Sequence, residues 1–331
     1  MPSSKTKYES NKFITMEDIA KELGVSKMAV SKALKDSKDI SEETKQKIIN
    51  KANELGYIPN LYASSLKKGK SNIIAIVFND FYNPYFSIAC YKTYFEIQKL
   101  GYQCSLVFCN KVSLDMDTVQ NIMVNKYCGV ISFVNPTNDV TLFFKKRNIP
   151  FTLIGILSNS KYLDCVYTND IQGGKLVAKY CIENGFKSPL YLSNSMSETS
   201  YRRFTGFAET LMANNIPYEF IPYNDLEDPI KIAYNKIKDN NIDFVFCYSD
   251  SLAIELHSYL NKKKAKHGVA IVGYDNLHKY YPIIKQLNSV DSNLEELIRY
   301  ACAVIVDKIS GKTDLNCYIN KMFQVNLSIK K

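Results

Sequence analysis

The 331-residue sequence contains no apolar run long enough to cross a membrane. Its longest apolar runs, such as IIAIVF at 73–78, fall far short of the roughly 18 residues that a spanning helix needs. The start MPSSKTKYESNK lacks the apolar stretch of a secretion signal. Nine cysteines include no CxxC pair, which argues against a zinc motif and a disulfide framework. We therefore expect a cytoplasmic protein with reduced thiols, no metal and no membrane contact.

Catalytic signatures are also missing. The sequence has no GxSxG, no P-loop, no HExxH and no GxGxxG. Its three histidines, His257, His267 and His278, show no ligand spacing and are expected to be surface or core residues. We predict that the chain is not an enzyme and carries no cofactor.

Positive charge is concentrated near the N-terminus. Residues 1–70 hold 14 lysines against nine acidic residues, a net charge of +5, and the remaining 261 residues carry only +4. Such a density suits a polyanion, because each neutralised phosphate releases counterions, although a solvated charged surface is the alternative. The first arginine is Arg147. The N-terminal region therefore cannot use the bidentate arginine contact with guanine.

Three short helical patterns occupy residues 15–57. Small and apolar residues recur at the spacing of a helix-turn-helix around the three-residue turn GVS at 24–26, inside the basic segment. In this motif the second helix enters the major groove of DNA and helix N-termini face phosphates. A purely structural three-helix bundle is the alternative. The motif predicts DNA contacts from Lys27, Met28, Ser31 and Lys32 on the second helix and from the N-cap residues Thr15, Ser26 and Ser41.

From residue 72 onward, short β-rich apolar runs alternate with helical patterns. This alternation predicts parallel sheets connected by right-handed crossovers. Because there are too many strands for one small sheet, we expect two similar halves joined near 167–170, with a ligand cleft between them. The predicted strands are 73–78, 104–109, 128–134, 150–156, 189–193, 243–249 and 268–274. The predicted helices lie near 84–100, 115–125, 138–147, 170–184, 200–214, 229–239, 251–263 and 292–309.

The segment ITMEDIAKELGVSKMAVSKALKDSKDISEETKQKIINKANELGYIPNLYASSL resembles the DNA-binding domain of the lactose-repressor (LacI/GalR) family of bacterial transcription regulators. The resemblance continues through NPYF (83–86), TNDIQGG (168–174), RRFTGF (202–207), SDSLAIE (249–255) and VGYDN (272–276). It implies an all-α helix-turn-helix domain with a hinge helix, followed by a two-lobed, periplasmic-binding-protein-like α/β core. The expected boundaries are 13–58 for the DNA-binding domain, 59–70 for the hinge, and 71–331 for the core, with a first lobe at 71–167 and 292–316 and a second lobe at 168–291 and 317–331.

The segment after YIPN matches the hinge of that family. The family hinge forms a helix on operator DNA, pairs with its copy in the dimer and inserts a leucine into the minor groove. Leu66 matches that leucine, Ala63 is small enough for close helix pairing, and Asn60 can cap the helix. An isolated helix of about eight residues is marginal in water, so the segment can order on DNA and disorder off it. A flexible linker is the alternative.

The resemblance also implies effector-binding residues in the cleft. Arg203 matches an arginine that anchors polar effector groups, and Asp275 matches an aspartate that commonly bonds sugar hydroxyls. Either residue could instead form an interlobe ion pair or lie on the surface. Ser249 stands where several sugar-responsive members have asparagine, and Gly155 where some have aspartate, so the effector cannot be copied from relatives. Asn79 and Phe86 match family positions that line the same cleft, although Phe86 could instead be a core residue.

We expect a repressor that binds a palindromic operator as a homodimer and responds to a small-molecule effector, a sugar or sugar derivative. The last strand-like segment, VNLSIKK, has no heptad extension, which predicts a dimer without a tetramerising tail. One alternative is a regulator that depends on a corepressor or on a phosphocarrier protein, as in the catabolite-control branch of the family. The second is a sugar-handling enzyme with an accessory DNA-binding domain.

Overall fold

The computed structural model describes residues 14–58, 71–193, 197–221, 228–239, 241–264 and 268–330. The chain divides into two compact units, Met1–Gly69 and Lys70–Lys331. The predicted hinge residues Asn60, Ala63 and Leu66 lie outside the described residues.

The first unit contains three helices, α1 (Met16–Leu23), α2 (Lys27–Ala33) and α3 (Glu42–Glu54). The turn between α1 and α2 begins at Gly24, whose φ of 63° is in the left-handed region that glycine tolerates best. The three-residue GVS turn and the buried faces of the helices are confirmed. The core consists of Ile19, Ala20, Val30, Ala33, Ile48 and Ala52.

The first lobe of the second unit is a six-stranded parallel sheet with helices on both faces. Its strand order is β11-β5-β4-β3-β1-β2. The strands are β1 (Ile73–Phe78), β2 (Gln103–Phe108), β3 (Gly129–Ser132), β4 (Phe151–Ile154), β5 (Asp164–Thr168) and β11 (Asn320–Phe323). Helices α4 (Pro84–Lys99) and α12 (Leu294–Ile309) pack on one face, and α5 (Met116–Met123) and α6 (Asn138–Lys146) on the other.

The second lobe repeats this arrangement, with strand order β12-β10-β9-β8-β6-β7. Its strands are β6 (Pro189–Leu192), β7 (Glu219–Ile221), β8 (Phe244–Cys247), β9 (Ala270–Tyr274), β10 (Asn288–Asp291) and β12 (Asn326–Ser328). Helices α7 (Asp170–Glu183) and α8 (Glu198–Ala213) cover one face, and α9 (Pro229–Asp239) and α10 (Asp250–Lys262) the other. The short helix α11 is Leu277–Tyr280. The antiparallel pair β10–β12 is the exception in an otherwise parallel sheet. The two similar halves expected from the sequence are confirmed.

The structure corrects one predicted lobe boundary. The sequence predicts that all of residues 317–331 belong to the second lobe, but β11 pairs in parallel with β5, with Asn320 opposite Cys165. The strand therefore belongs to the first lobe, because it extends the sheet beside β5. The chain then crosses to the second lobe between Phe323 and Asn326. The strands β5, β7, β10 and β11 were not among the predicted strands.

Helices α7 and α8 approach each other at backbone contact distance. A Cβ atom on Gly206 would lie 1.9 Å from the carbonyl oxygen of Ile171, and one on Gly174 would lie 2.0 Å from that of Arg203. Only glycine permits such an approach. The consequence is that the start of α7, at Asp170, lies against the side chain of Arg203.

Candidate functional site

In the first unit, the three predicted N-cap residues all cap helices. Thr15 and Asp18 form a capping box, with the Asp18 amide donating to Thr15 Oγ1 at 3.3 Å and the Thr15 amide donating to Asp18 Oδ2 at 2.9 Å. Ser26 Oγ accepts from the Ala29 amide at 3.1 Å, and Ser41 Oγ accepts from the Thr44 amide at 3.4 Å. These caps fix the residue at which each helix starts, and therefore the position of the positive end of its dipole.

The second helix of the motif, α2, presents a basic and apolar surface. Met28 is 69% exposed, so its side chain is free to contact a base edge if the helix enters a groove. Lys27 is ion-paired with Glu17 and Lys32 with Asp39, each at 2.9 Å and with all four side chains at least 42% exposed. Exposed pairs of this kind contribute little to stability, so both lysines can exchange their carboxylates for phosphates. Ser31 is half-buried on the same helix.

In the second unit, a buried ionic cluster forms around Arg203. Its Nε donates to Asp170 Oδ1 at 2.9 Å, and its Nη1 donates to the carbonyl oxygen of Tyr248 at 2.7 Å. The guanidinium carbon lies 3.5 Å from the centre of the Tyr274 ring. Its Nη2 is 3.7 Å from Asp275 Oδ1, an ion pair that is too long for a hydrogen bond. Burial alone would lower the pKa of Arg203, but the charges of Asp170 and Asp275 raise it well above its usual value.

Two carboxyl groups, Asp170 and Asp275, are ion-paired with this guanidinium, and a third buried carboxyl group, Asp250, is near enough for its charge to interact with it. Asp170 follows β5, Asp250 follows β8 and Asp275 follows β9. Each is at most 5% exposed. Burial raises the pKa of Asp250 to about 6 and raises that of Asp275 well above its usual value, in the second case against the opposing charge of Arg203. Burial also raises the pKa of Asp170. The carboxyl ends of parallel strands thus converge on one electronegative site, the usual ligand position in such folds.

The backbone at Asp275 is strained. Its φ is 103°, a region that side-chain-bearing residues rarely adopt, and Asn276 follows at 49°. Such strain persists where the surrounding structure enforces it, often at ligand sites. Here the Asp275 amide donates to the Val290 carbonyl at 2.8 Å, which fixes the turn after β9.

The first lobe contributes Tyr85 to the surroundings of the cluster, and Asn83 contacts the second lobe beside it. Burial, followed by the negative charge of Asp275, raises the pKa of the Tyr85 hydroxyl well above its usual range. Asn83 Oδ1 caps α4 by accepting from the Tyr85 amide at 3.0 Å, and it also accepts from Ser251 Oγ of the second lobe at 3.0 Å. One amide oxygen therefore links the first turn of α4 to the first turn of α10 across the two lobes.

The structure brings together some of the predicted cleft residues. Arg203 and Asp275 are ion-paired, whereas Ser249 is an N-cap, its Oγ accepting from the Leu252 amide at 3.3 Å. Asn79 donates to the carbonyl oxygen of Lys111 at 3.4 Å. Phe86 packs on the core of the first lobe, with its ring centre 6.3 Å from that of Phe133. Phe86 also contacts the Tyr85 ring, with the ring centres 5.3 Å apart, whereas no hydrogen bond joins Asn79 to the ionic cluster within the described residues.

Sequence reasoning missed Tyr85, Asp170, Asp250 and the link between Asn83 and Ser251. The helical spacing of α4 could have indicated that Tyr85, rather than its neighbour Phe86, faces the cleft. Phe86 shares a face with Cys90, Thr93 and Ile97, which are buried against the first lobe, and this spacing directs Phe86 to the same core.

Two cavities of the second unit lie away from this cluster, in the first lobe. One, of about 620 Å³, opens between β2 and α5, and another, of about 20 Å³, lies beside Asp164 and Lys308. The described residues contain no group of three or more His, Cys, Asp or Glu side chains placed to hold a metal ion. None of the described helices combines the length and hydropathy needed to cross a membrane.

Comparisons with known proteins agree with this architecture. The family model described as bacterial regulatory proteins, lacI family, matches residues 15–60, and the model of a periplasmic binding protein-like domain matches residues 178–320. The HTH-type transcriptional repressor PurR of Actinobacillus pleuropneumoniae serotype 3 (strain JL03) is 27% identical over 296 residues, which cover 85% of this chain and 87% of that repressor.

Two solved structures illustrate the shared fold. The lac repressor dimer bound to operator and the anti-inducer ONPF aligns with a TM-score of 0.77 at 18% identity, covering 96% of this chain and 98% of that one. The complex of the transcriptional regulator CelR with cellobiose aligns with a TM-score of 0.64 at 19% identity, with the same coverages. At these identities the likeness concerns the fold alone.

Proposed function

Because this chain belongs to the lacI family of bacterial regulatory proteins, and is a DNA-binding transcription regulator rather than an enzyme, we propose that it represses transcription under the control of a small-molecule effector. It binds a palindromic operator as a homodimer. The effector, a sugar or sugar derivative, binds between the lobes at Arg203, Asp275 and Tyr85. The observation that carries the proposal is the exposed first turn of α2, with Lys27 and Met28 at its tip.

In the DNA complex, α2 lies in the major groove. Lys27 and Lys32 release their exposed carboxylate partners and contact phosphates or guanine, and Met28 contacts a thymine methyl group. Ser31 lies one helical turn from Lys27 and contacts a base edge or the backbone. The N-termini of α1, α2 and α3, capped by Thr15, Ser26 and Ser41, face phosphates.

Dimer formation is supported by apolar side chains left exposed on the first lobe. Tyr91 and Phe95 lie on α4 with their ring centres 4.6 Å apart, and both are exposed. Leu106 and Phe108 are exposed on β2, the strand at the end of the sheet order. An apolar surface beside an open sheet edge favours association with another chain, and a second copy would cover it symmetrically.

Effector control acts through the angle between the lobes. The ionic cluster is closed to solvent, so an effector enters only if the lobes separate, which breaks the bond between Ser251 and Asn83. The lobes then close on the effector at a different angle, which changes the spacing of the two hinge segments of the dimer. In the hinge, Asn60 caps the helix that pairs through Ala63, and Leu66 wedges the minor groove. Coupling of this kind is reciprocal, so DNA and effector change each other's affinity by the same factor.

The decisive experiment selects operator sequences from random DNA with the purified full-length chain at two salt concentrations. It is then repeated with neutral sugars, sugar phosphates and purine bases. We expect a palindrome, bound in a salt-sensitive way and released by one compound. Binding that appears only after a compound or a phosphocarrier protein is added would replace this proposal with the corepressor alternative. Enrichment of no sequence would contradict DNA reading by α2.

A further inference from the structure

Positive charge in the second unit is concentrated at one edge of the first lobe. The five strand pairs of that sheet are all parallel, so its six strands begin at the same edge. The six residues before each of β2, β3, β4, β5 and β11 together hold six cations and one acidic residue, Asp314, a net charge of +5. These six cations, which we call the basic edge, are Lys99, Lys126, Lys145, Lys146, Arg147 and Lys161.

The other strand ends of the core do not carry this charge. The six residues after each strand of the first lobe hold one cation and two acidic residues, a net charge of −1. In the second lobe, the six residues before each of its five parallel strands hold five cations and three acidic residues, a net charge of +2. Helix dipoles favour cations at helix C-termini, which precede the strands in both lobes. The larger charge of the first lobe therefore needs a further reason.

The cations of the basic edge are all exposed. Within the described residues, Lys99 is the member with an ion pair, to Glu96 at 3.2 Å. Lys145 Nζ lies 3.4 Å from the centre of the Tyr162 ring, and the guanidinium carbon of Arg147 lies 4.7 Å from that of Phe143. An aromatic ring holds a cation in place without neutralising its charge. The basic edge thus presents ordered positive charge that carboxylates of the described chain leave largely uncompensated.

The chain enters the second unit at this same edge. Strand β1 begins at Ile73, and the first unit ends at Gly69. Even when fully extended, the connection from residue 58 to residue 71 spans no more than about 45 Å. A duplex bound by the first unit is therefore tethered within reach of the basic edge, which raises its effective concentration there. An acidic protein would suit the same charge but would lack this tether.

We propose that the basic edge binds phosphates of the DNA that flanks the operator, so that the core adds a sequence-independent contribution to DNA affinity. The inference rests on the proposed function, because it needs an operator held by α2, and it adds a second DNA-binding surface to the chain. Exposed lysines contact phosphates as point charges, and each contact releases counterions, so the contribution depends strongly on salt.

The test compares two duplexes with the full-length chain. One holds the selected operator alone, and the other extends it by about 10 base pairs, one helical turn, on each side. Filter binding over a range of salt concentrations gives the slope of log affinity against log salt for each duplex. We expect the slope to be steeper on the extended duplex by about two to three per subunit, because each phosphate contact contributes about 0.9.

The variant Lys145→Gln/Lys146→Gln/Arg147→Gln removes three charges at the end of α6 while keeping long side chains. We expect it to lose most of the extra slope on the extended duplex and to keep the slope of the operator alone. The matched control is Lys262→Gln/Lys263→Gln/Lys264→Gln, three exposed cations at the end of α10, where Lys263 likewise lies over a ring, that of Tyr259. The control should change neither slope, and circular dichroism checks that both variants are folded.

The outcomes separate this inference from the proposed function. Equal slopes on the two duplexes, or an unchanged extra slope in the α6 variant, would overturn the inference while leaving operator recognition by α2 intact, and an acidic protein would then be the better partner for the basic edge. Equal losses in both variants would also overturn it, because the charge would then act without regard to its place. If the chain binds neither duplex, both the inference and the proposed function are wrong.

Discussion

The two lobes share one strand order, yet they bury their charges at opposite ends of their sheets. In the first lobe, Lys308 of α12 contacts Asp164, the first residue of β5, at 2.8 Å, and both side chains are 1% exposed. In the second lobe the charges lie past the carboxyl ends of strands, where Asp275 is ion-paired with Arg203 and Asp250 is buried nearby. The first is a pair of one cation and one anion, and the second has an excess of carboxyl groups.

The two sites can be compared by the charge balance of their buried groups and by where those groups lie along the sheet. A balanced pair can hold elements together: Asp164 Oδ1 also accepts the Ile319 amide at 2.8 Å, which ties α12, β5 and the approach to β11 to one atom. Hydrogen bonding does not separate the two sites, because among the described residues Asp164 Oδ2 is buried without a partner and no carboxyl oxygen of the second cluster is in that state. Burial alone does not distinguish the two, whereas charge balance and position in the sheet do.

Removing Lys308 should produce the largest loss of stability. Lys308→Met leaves Asp164 buried without its cation, and the free energy of unfolding should fall by about 3–5 kcal/mol. Urea denaturation followed by circular dichroism measures the change. The double variant Lys308→Met/Asp164→Asn removes both charges and should recover most of the loss. If the single and double variants are equally unstable, the pair is not what holds these elements together.

Gly206→Ala tests the helix approach that the second lobe requires. The new Cβ would lie 1.9 Å from the Ile171 carbonyl oxygen, so α7 and α8 must separate, at a cost of about 2 kcal/mol. The shift moves Asp170 away from Arg203, and effector binding should weaken too. Gly268→Ala is the control, because its added Cβ meets no atom within 4 Å. Equal stability of the two variants would contradict the close packing of α7 on α8.

The pH dependence of stability should distinguish a buried carboxyl group of the Arg203 cluster from an exposed carboxyl group of the same lobe. The pKa of Asp250 is about 6 in the folded chain, against an ordinary value of 3.8. Between these values the folded state binds more protons than the unfolded state, so this contribution to stability falls as pH rises from about 4 to about 6. We expect Asp250→Asn to abolish a fall on the order of 1 kcal/mol. Asp239→Asn should retain it. The measurement is urea denaturation at pH 4, 5, 6 and 7, and parallel curves for the two variants would refute the assignment.

The sequence allowed the helix-turn-helix to be predicted almost completely, because caps, apolar spacing and the turn glycine all act within a few residues. In the core, the strands dominated by apolar residues were predicted, whereas β5, β7, β10 and β11 were not. Length is not the reason, because several predicted strands have only four residues; the missed strands contain charged or polar residues such as Asp164, Asn288 and Asn320. They become strands only by pairing with distant neighbours, and local sequence carries no signal of that pairing.

The site was predictable to a lesser extent. Arg203 and Asp275 were found through motifs that resemble a family. The alternative was an ion pair between the lobes or a surface position, whereas the two residues pair with each other inside the second lobe. Asp170 and Asp250 escaped notice because a carboxylate next to a helix start reads first as a capping residue. The ion pair of Asp170 with Arg203 depends on the close approach of α7 and α8. The interaction of the Asp250 charge with Arg203 depends on how β8 and β9 lie side by side, and both are properties of the folded lobe.

The exposed ion pairs of the first unit complete the comparison and should give the smallest effect on stability. Lys27 and Glu17 are 57% and 52% exposed, so Lys27→Ala should change the free energy of unfolding by no more than about 0.5 kcal/mol. If Lys27 contacts a phosphate, however, the slope of log affinity against log salt for the selected operator should decrease by about one per subunit. Lys47→Ala on α3 is the matched control, since its pair with Glu43 is also exposed, at 69% and 80%, but lies off the second helix. Filter binding over a range of salt concentrations measures both slopes. Equal slopes for the two variants would mean that α2 does not contact the DNA backbone through Lys27. A smaller slope in Lys27→Ala alone would show that an ion pair with almost no effect on stability can still act in DNA binding.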